Sequence, residues 1–426
     1  MTRHAGEKAA KAATGASGGS GASGRSGATD DASGGAGLTR LVTERSIIVC
    51  CGSGGVGKTT AAAVVALEAA RRGRKTVVVT IDPAKRLADA LGLAGLTDTP
   101  SRIDGDWPGE LWATMLDTKS TFDALVAKHA ATPEQGERIL ANGFYRNISG
   151  ALSGTQEYMA MEKLYELHDE TDFDLVVVDT PPTRHALDFL DAPRRLSRFL
   201  EHRLFRMLVA PSRGIVKAVN VAAQTFLRTV SKVVGGDVVD DAIAFFQAFE
   251  GMEEGFRLRA ARVNELLAAP ETAFVLVASP RRDTVEEAHF FADRLHEAGI
   301  SVQGLVVNRV HPPFGTRPAT RKTKAGTAET GGPDGPVGPG GNAAVTAAVA
   351  AGTARRADTL AGTPIGGLYR NLAEFQAVAS REQAHLAGLA DAVAPAPVVW
   401  VPFLRSDVHD IVGMDQVALH VFGRPA

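Results

Sequence analysis

Short, uninterrupted apolar runs recur along the chain, and longer stretches with a helical spacing of apolar residues separate them. Strands of a parallel sheet are buried on both faces and therefore show such continuous runs. The predicted strands are Ile47–Cys51, Lys75–Asp82, Leu111–Asp117, Phe173–Asp179, Ala273–Ser279, Val302–Asn308 and Val398–Val401. The alternation of strands and helices predicts an α/β fold with a doubly wound, mostly parallel sheet.

Two stretches without a strand pattern, 119–170 and 194–269, predict a helical subdomain inserted into the sheet domain. The second stretch contains two apolar faces at helical spacing, one within 215–233 and one within 239–256. Paired amphipathic helices normally bury such faces against each other. The same faces can instead form a surface for a hydrophobic partner, and the sequence leaves both interpretations open.

Two further stretches have a low-complexity composition. Residues 1–37 are rich in Gly, Ser and Ala, and residues 311–342 are rich in Gly, Pro, Thr and Lys. Neither can bury much apolar surface, so both are predicted to be disordered. The folded domain is therefore expected to span 38–422 and to be interrupted by the second stretch.

Composition excludes several classes of partner. The 426 residues include 46 Lys and Arg against 48 Asp and Glu, so no basic excess favours nucleic acid. No run approaches the roughly 18 apolar residues of a membrane span, and no stable membrane insertion is expected. The two cysteines, Cys50 and Cys51, are adjacent in one predicted strand, which disfavours a disulfide or a metal pair. These features, with no apolar signal segment near the N-terminus, favour a cytoplasmic protein.

A glycine-rich loop links the first predicted strand to the helix that follows it. Gly52, Gly57, Lys58 and Thr59 fill the phosphate-loop pattern G-x-x-x-x-G-K-[ST] in its proper strand–loop–helix context. Backbone N–H groups and the helix N-terminus would bind the phosphates of ATP, Lys58 would reach the β- and γ-phosphates, and Thr59 would ligate Mg²⁺. The predicted nucleotide-binding residues of the loop are Gly54, Gly55, Val56, Gly57, Lys58, Thr59 and Thr60.

Three polar residues end predicted strands, where ligands of such sheets bind. Asp179 follows four apolar residues and is expected to hold Mg²⁺ through its water shell. Asp82 is a candidate for ordering the attacking water in catalysis. The amide of Asn308 suits an adenine edge because it offers both a donor and an acceptor. An aspartate at the end of a strand can also be only a turn former, which is the alternative for Asp82 and Asp179.

Four segments together resemble the ATPase family that includes the arsenite-efflux pump ATPase and the ATPase that targets tail-anchored membrane proteins. The resemblance extends over residues 44–422, apart from the 311–342 stretch. Its most specific part begins at Asp179 with Thr-Pro-Pro-Thr-Arg-His-Ala-Leu-Asp-Phe-Leu. The other segments are Gly54-Gly-Val-Gly-Lys-Thr-Thr, Asp82-Pro-Ala and Val306-Val-Asn-Arg.

This resemblance implies roles for matching residues. Asp82 matches the first switch aspartate, which is associated with hydrolysis. The run from Thr180 to Leu190, including His185, matches the second switch, which senses the γ-phosphate. Asn308 matches an adenine-binding asparagine, and Pro402 and Phe403 belong to a late segment that closes over the base. Without the resemblance, Pro402 and Phe403 are equally well explained as a strand end packed into the core.

The chain departs from the family pattern at Ser53, where a lysine normally reaches across a dimer to the nucleotide of the other subunit. The chain can therefore be a weak ATPase, or pair with a paralogue that keeps the lysine. Alternatively, Arg184, which stands where a glycine is common in the second switch, can supply the charge. The cysteine motif that binds zinc in some dimeric relatives is absent. The arsenite-binding cysteine triad is absent too, and the chain has one phosphate loop where the pump ATPase has two halves, which disfavours metalloid efflux.

These observations predict an ATP-binding, ATP-hydrolysing dimeric switch, as a homodimer or as a heterodimer with a paralogous ATPase. Its nucleotide state would control the binding of a hydrophobic client or of a protein partner. The alternative is a catalytically weak regulatory subunit of a heterodimer with a lysine-bearing paralogue, and a metalloid-efflux ATPase is a more remote third.

Overall fold

The structure is a computed structural model, and it describes residues 30–82, 86–148, 155–181, 251–312 and 343–423, with isolated positions between these ranges. Over these residues, eight strands form a single sheet. The strands are β1 (Ile47–Cys51), β2 (Lys75–Thr80), β3 (Ser101–Ile103), β4 (Glu110–Met115), β5 (Leu175–Asp179), β6 (Thr272–Ala278), β7 (Val302–Val310) and β8 (Val398–Pro402).

The sheet has the strand order β3-β4-β2-β5-β1-β6-β7-β8. Every neighbouring pair is parallel except β3 and β4, which are antiparallel. The predicted α/β fold with a mostly parallel sheet is therefore confirmed. The sequence did not predict β3, because only Ile103 of its three residues is buried and no apolar run marks it.

Helices cover both faces of the sheet. Successive residues of β1 point to opposite faces: Ile47 and Val49 belong to one apolar core, and Ile48 and Cys50 belong to the other. The helices are α1 (Asp30–Glu44), α2 (Lys58–Arg71), α3 (Arg86–Ala90), α4 (Thr118–His129), α5 (Pro133–Ala141), α6 (Gly143–Ile148), α7 (Thr155–Asp169), α8 (Glu253–Ala268), α9 (Arg282–Glu297), α10 (Ala343–Thr359), α11 (Pro364–Leu386), α12 (Leu389–Ala392) and α13 (Ile411–Phe422). Residues of α4, α7, α8 and α9 build the first core, whereas residues of α1, α2 and α13 build the second.

The N-terminal boundary of the fold differs from the prediction. Residues 30–37, which the sequence places in the disordered tail, belong to helix α1. Leu38 and Leu41 bury the C-terminal half of this helix in the core. At Gly34 the helix approaches β8 so closely that a Cβ atom would collide with the carbonyl oxygen of Val398. The glycines that suggest disorder in the sequence therefore include one that permits close packing. The prediction for residues 1–29 lies outside the described residues.

The stretch 119–170 is helical where it is described, as the sequence predicts, and it forms α4 to α7. Of the stretch 194–269, helix α8 and a few isolated positions are described, so both of its predicted apolar faces lie largely outside the described residues, as does 311–342. The assignment of these helices to one subdomain therefore stays a prediction. Among the helices described, none is long and apolar enough to cross a membrane.

Candidate nucleotide-binding site

The glycine-rich loop lies at the centre of the sheet. It follows β1, which is flanked by β5 and β6, and it leads directly into α2 at Lys58. The Lys58 side chain is buried, and its Nζ atom donates a hydrogen bond to the carbonyl oxygen of Ser53 at 2.8 Å. Burial lowers the pKa of Lys58, while the charge of Asp179 raises it. The ammonium group is therefore fixed beneath the loop at the point where phosphates would bind.

The amide of Asn308 supports the loop from the end of strand β7, which is two strands away from β1 in the sheet. Its Nδ2 atom donates to the carbonyl oxygen of Val56 at 2.9 Å. Gly57 has a φ of 96°, and a Cβ atom at this position would collide with the same Nδ2 atom. A glycine is thus required here for two reasons, the backbone conformation and the close approach of Asn308.

Replacing Gly57 with alanine should weaken ATP binding about tenfold or more and lower the melting temperature. The alanine strains a positive-φ position and displaces the Asn308 amide, so both the loop and the cleft beside it shift. Isothermal titration with ATP and thermal unfolding check this, with Gly73→Ala as a control. Gly73 also has a positive φ, but a Cβ atom there would meet nothing within 4 Å, so its variant carries the backbone strain alone. Equal ATP affinities of the two variants would contradict the importance of the Asn308 contact.

Asp179 ends β5 beside the first turn of α2. The parallel register places it level with Cys50 of β1 and Thr80 of β2. Its Oδ2 atom accepts hydrogen bonds from the hydroxyl of Thr59 at 2.8 Å and from that of Thr80 at 3.0 Å. Burial raises the pKa of Asp179 to about 6, although both hydroxyl groups act in the opposite direction. This environment holds a desolvated carboxylate against the phosphate loop.

The second carboxylate oxygen of Asp179, Oδ1, is buried and has no hydrogen-bond partner among the described residues. An unpaired buried oxygen costs free energy unless a ligand completes its bonding. Together with the Thr59 hydroxyl, it forms an oxygen donor set that fits Mg²⁺, which takes most of its remaining ligands from water and substrate phosphates. The part of the chain that the structure describes holds no cluster of three or more His, Cys, Asp or Glu for a metal held by the protein alone.

A cleft of about 470 Å³ opens above the loop. Asp82, two residues beyond the end of β2, lines it, and the Oδ2 atom of Asp82 lies 3.6 Å from a guanidinium nitrogen of Arg86. Thr180 lines it as well, and its hydroxyl donates to the carbonyl oxygen of Cys50 at 2.9 Å. The structure therefore brings Asp82 and Thr180 together with the loop. The cleft also contains a residue that the sequence did not single out, Arg309.

A second cleft of about 500 Å³ adjoins the first. Asn308, Pro402 and Phe403 line it. The Phe403 ring is 56% exposed and stacks on His311 with a centroid distance of 5.0 Å, so it is not part of the core. The residues that line both clefts are Gly57, Thr60, Arg309 and Val408. Two adjoining clefts, one at the phosphate loop and one with an exposed aromatic ring, match the two halves of a nucleoside triphosphate.

Three residues that the sequence singles out remain to be placed: Arg184, His185 and Ser53. Arg184 and His185 lie outside the described residues, and so does most of the second switch segment. Ser53 is buried, and its hydroxyl oxygen has no partner among the described residues. A serine side chain buried inside the loop cannot reach a neighbouring subunit.

The sheet, the loop and the strand-end aspartates define a P-loop nucleotide hydrolase. Residues 45–323 match the family model of anion-transporting ATPases. The match covers well over half of the chain, so the protein belongs to the anion-transporting ATPase family and is an ATPase.

Three individual relatives share about a quarter of their aligned residues with this chain. The "ATPase ASNA1 homolog" of Dictyostelium discoideum is 26% identical over 260 residues, which cover 61% of this chain and 70% of the relative. The "ATPase GET3" of Malassezia globosa is 26% identical over 285 residues, covering 66% of this chain and 78% of the relative. The "Putative arsenical pump-driving ATPase 2" of Aquifex aeolicus is 25% identical over 269 residues, covering 61% and 79%.

Proposed function

We propose that this ATPase is a dimeric switch, which binds and hydrolyses ATP and couples its nucleotide state to the binding of a hydrophobic client or of a protein partner. The observation that carries the proposal is the pair of adjoining clefts, with Lys58, Thr59 and Asp179 at the phosphate end.

Each part of the site has a role in this proposal. The loop N–H groups and Lys58 bind the phosphates, while Thr59 and Asp179 hold Mg²⁺. When bound, Mg²⁺ neutralises charge on the β- and γ-phosphates. Asp82 orients the attacking water from the rim of the cleft. The base half is formed by Asn308 and by the late segment Pro402 and Phe403, where the exposed aromatic ring can stack on adenine.

Contacts that link the nucleotide site to helix α7, and α7 to helix α8, support a coupling between nucleotide state and these two helices. The side-chain amide of Gln156, at the start of α7, donates to the carbonyl oxygen of Ile81 at 3.1 Å, directly before Asp82. Helix α7 is tied to α8 by an ion pair between Glu162 and Arg259, both of which are nearly buried. A change at Asp82 therefore has a direct mechanical route to α7 and α8. We expect a second route through the predicted second switch, the segment with Thr180, Arg184 and His185 that follows Asp179 in the sequence.

Ser53 favours one alternative within this function. A chain without the cross-dimer lysine cannot stabilise the transition-state charge in its partner, whereas it can receive that charge from a lysine-bearing paralogue. The chain would then be the weaker half of a heterodimer. The homodimeric form needs compensation from another cation, for which Arg184 is the candidate from the sequence.

The purified chain alone should hydrolyse ATP slowly, and addition of a paralogue that carries the lysine should raise the rate at least about tenfold. Steady-state hydrolysis with the chain, the paralogue and the mixture measures this. Native mass spectrometry of the complex isolated from its host identifies the subunits independently. An unchanged rate in the mixture, together with a mass of two identical chains, would contradict the heterodimer and leave the homodimer.

Metalloid efflux has less support. Cys50 and Cys51 are the chain's two cysteines, and both are buried in β1. Burial raises the pKa of both thiols, that of Cys51 to about 12, so neither supplies a thiolate at neutral pH. Stimulation of hydrolysis by arsenite would nevertheless revive this function, and the same steady-state assay detects it.

A further inference from the structure

Arg309 has an unusual backbone conformation. It follows Asn308 at the end of β7 and has a φ of 61°, the one positive φ at a non-glycine residue among those described. Its backbone N–H group donates to the Oδ1 atom of Asn308 at 2.9 Å. Left-handed backbone is costly for a long side chain and is concentrated at functional sites. The position of the Arg309 side chain explains this unusual backbone conformation.

The left-handed turn directs the Arg309 side chain back over the phosphate loop. One guanidinium nitrogen donates to the carbonyl oxygen of Gly55 at 3.0 Å. This is the one side-chain hydrogen bond of Arg309 among the described residues, although a guanidinium offers five N–H donors. The side chain is exposed and lines both clefts. Free donors and a fixed positive charge therefore face the space between the two halves of the site.

The position of Arg309 indicates which part of a nucleotide it would meet. Residues shared by the two clefts lie at their junction, where the phosphates of a nucleotide bound in the proposed site would join its ribose. Lys58 and Asp82 line the phosphate cleft but not the second cleft, and in the proposed site they mark its γ-phosphate end. Another cationic side chain of the phosphate cleft, Arg86, lies 3.6 Å from the Asp82 carboxylate.

We infer that Arg309 is a phosphate-binding arginine that contacts the α- and β-phosphates of the nucleotide bound to its own chain. The inference rests on the proposed ATP site and deepens it. Arg309 then binds ADP and ATP alike. It raises affinity for the nucleotide of its own chain without replacing the missing cross-dimer lysine, which would act on the nucleotide of the other subunit.

Nucleotide binding to full-length variants tests this inference. Isothermal titration of Arg309→Ala should show affinities for ATP and ADP that are both reduced about 10- to 100-fold and by similar factors, because a charge-assisted bond to phosphate is lost. Displacement of a fluorescent ADP analogue by adenosine, which has no phosphate, should give an unchanged adenosine affinity. Arg309→Lys should retain part of the binding. The matched control is Arg282→Ala, an exposed arginine of α9 that pairs with Glu286 and lines neither cleft.

A second variant separates phosphate binding from a structural role. Arg309→Gly removes the side chain and also relieves the positive-φ strain, so its melting temperature should be unchanged or higher while ATP and ADP affinities still fall. A lower melting temperature with an equal loss for adenosine would show a structural role and overturn the inference. A loss confined to ATP, or no loss for either nucleotide, would overturn it as well.

Failure of the proposed nucleotide site and failure of the role of Arg309 give different results. If the unmodified chain binds no ATP, the proposed nucleotide site fails and this inference fails with it. If the unmodified chain binds ATP and Lys58→Ala does not, while Arg309 variants bind normally, the site stands and only the role of Arg309 is refuted.

Discussion

Replacing Lys58 with alanine should lower the rate of ATP hydrolysis by at least about 100-fold. The Lys58 ammonium group is buried under the loop and held by the carbonyl oxygen of Ser53, so no neighbouring side chain can take its position. The variant loses the charge that stabilises the β- and γ-phosphates in the transition state. Steady-state hydrolysis, measured with the same lysine-bearing partner if one is required, gives the ratio of rates.

The matched control for Lys58 is Lys75→Ala. Lys75 begins β2 at the opposite end of the sheet and pairs with Asp172 at the surface. Its variant should hydrolyse ATP at the rate of the unmodified chain. Retention of more than about a tenth of the rate by the Lys58 variant, with the control unaffected, would show that hydrolysis occurs elsewhere.

Asp179→Asn should abolish Mg²⁺-dependent hydrolysis and at the same time stabilise the nucleotide-free protein at neutral pH. The pKa of Asp179 is raised from its ordinary 3.8 to about 6, so the folded state binds this proton more tightly than the unfolded state does. The contribution of the protonated carboxyl to stability is therefore fully present below pH 3.8 and is lost as the pH rises through 6. At about 1.4 kcal/mol for each pH unit between these values, the loss amounts to at most about 3 kcal/mol.

The free energy of unfolding, measured in urea at about pH 5 and about pH 7.5 without nucleotide, tests this sign. The unmodified chain should lose stability between these two pH values relative to Asp179→Asn, because the asparagine does not titrate. Asp172→Asn is the control, since its carboxyl is exposed and pairs with Lys75 at the surface. A pH dependence that is the same in the unmodified chain and in Asp179→Asn would contradict the raised pKa.

Much of the fold could be predicted because its signals are local. The central strands are buried on both faces, so they stand out as apolar runs, and seven of the eight described strands carry this signal. The phosphate loop is a contiguous motif with flanking elements of the right type. Asp82, Asp179 and Asn308 could be placed near it because parallel strands bring their carboxyl ends to one edge of the sheet.

The features that were missed depend on contacts between distant parts of the chain. Strand β3 is defined by its pairing with β4 and not by an apolar run. Helix α1 begins among glycines that look disordered in the sequence, and one of them fits against β8. Arg309 stands in the Val306-Val-Asn-Arg segment, but no role could be predicted for it, because an arginine after a strand is an ordinary surface residue until its backbone conformation and its bond to Gly55 are known.

The central claim is that nucleotide state is coupled to helices α7 and α8, and hydrogen–deuterium exchange of the full chain tests it most directly. Exchange would be measured once with Mg²⁺ and ADP and once with Mg²⁺ and a slowly hydrolysed ATP analogue, and the two results would be compared. The account predicts exchange differences in the cleft segment 80–92 and, beyond the clefts, in peptides from α7 and from α8. Differences confined to the cleft segments 52–60, 80–92, 308–311 and 402–408 would contradict it, because the nucleotide would then be a static ligand and the chain a regulatory subunit.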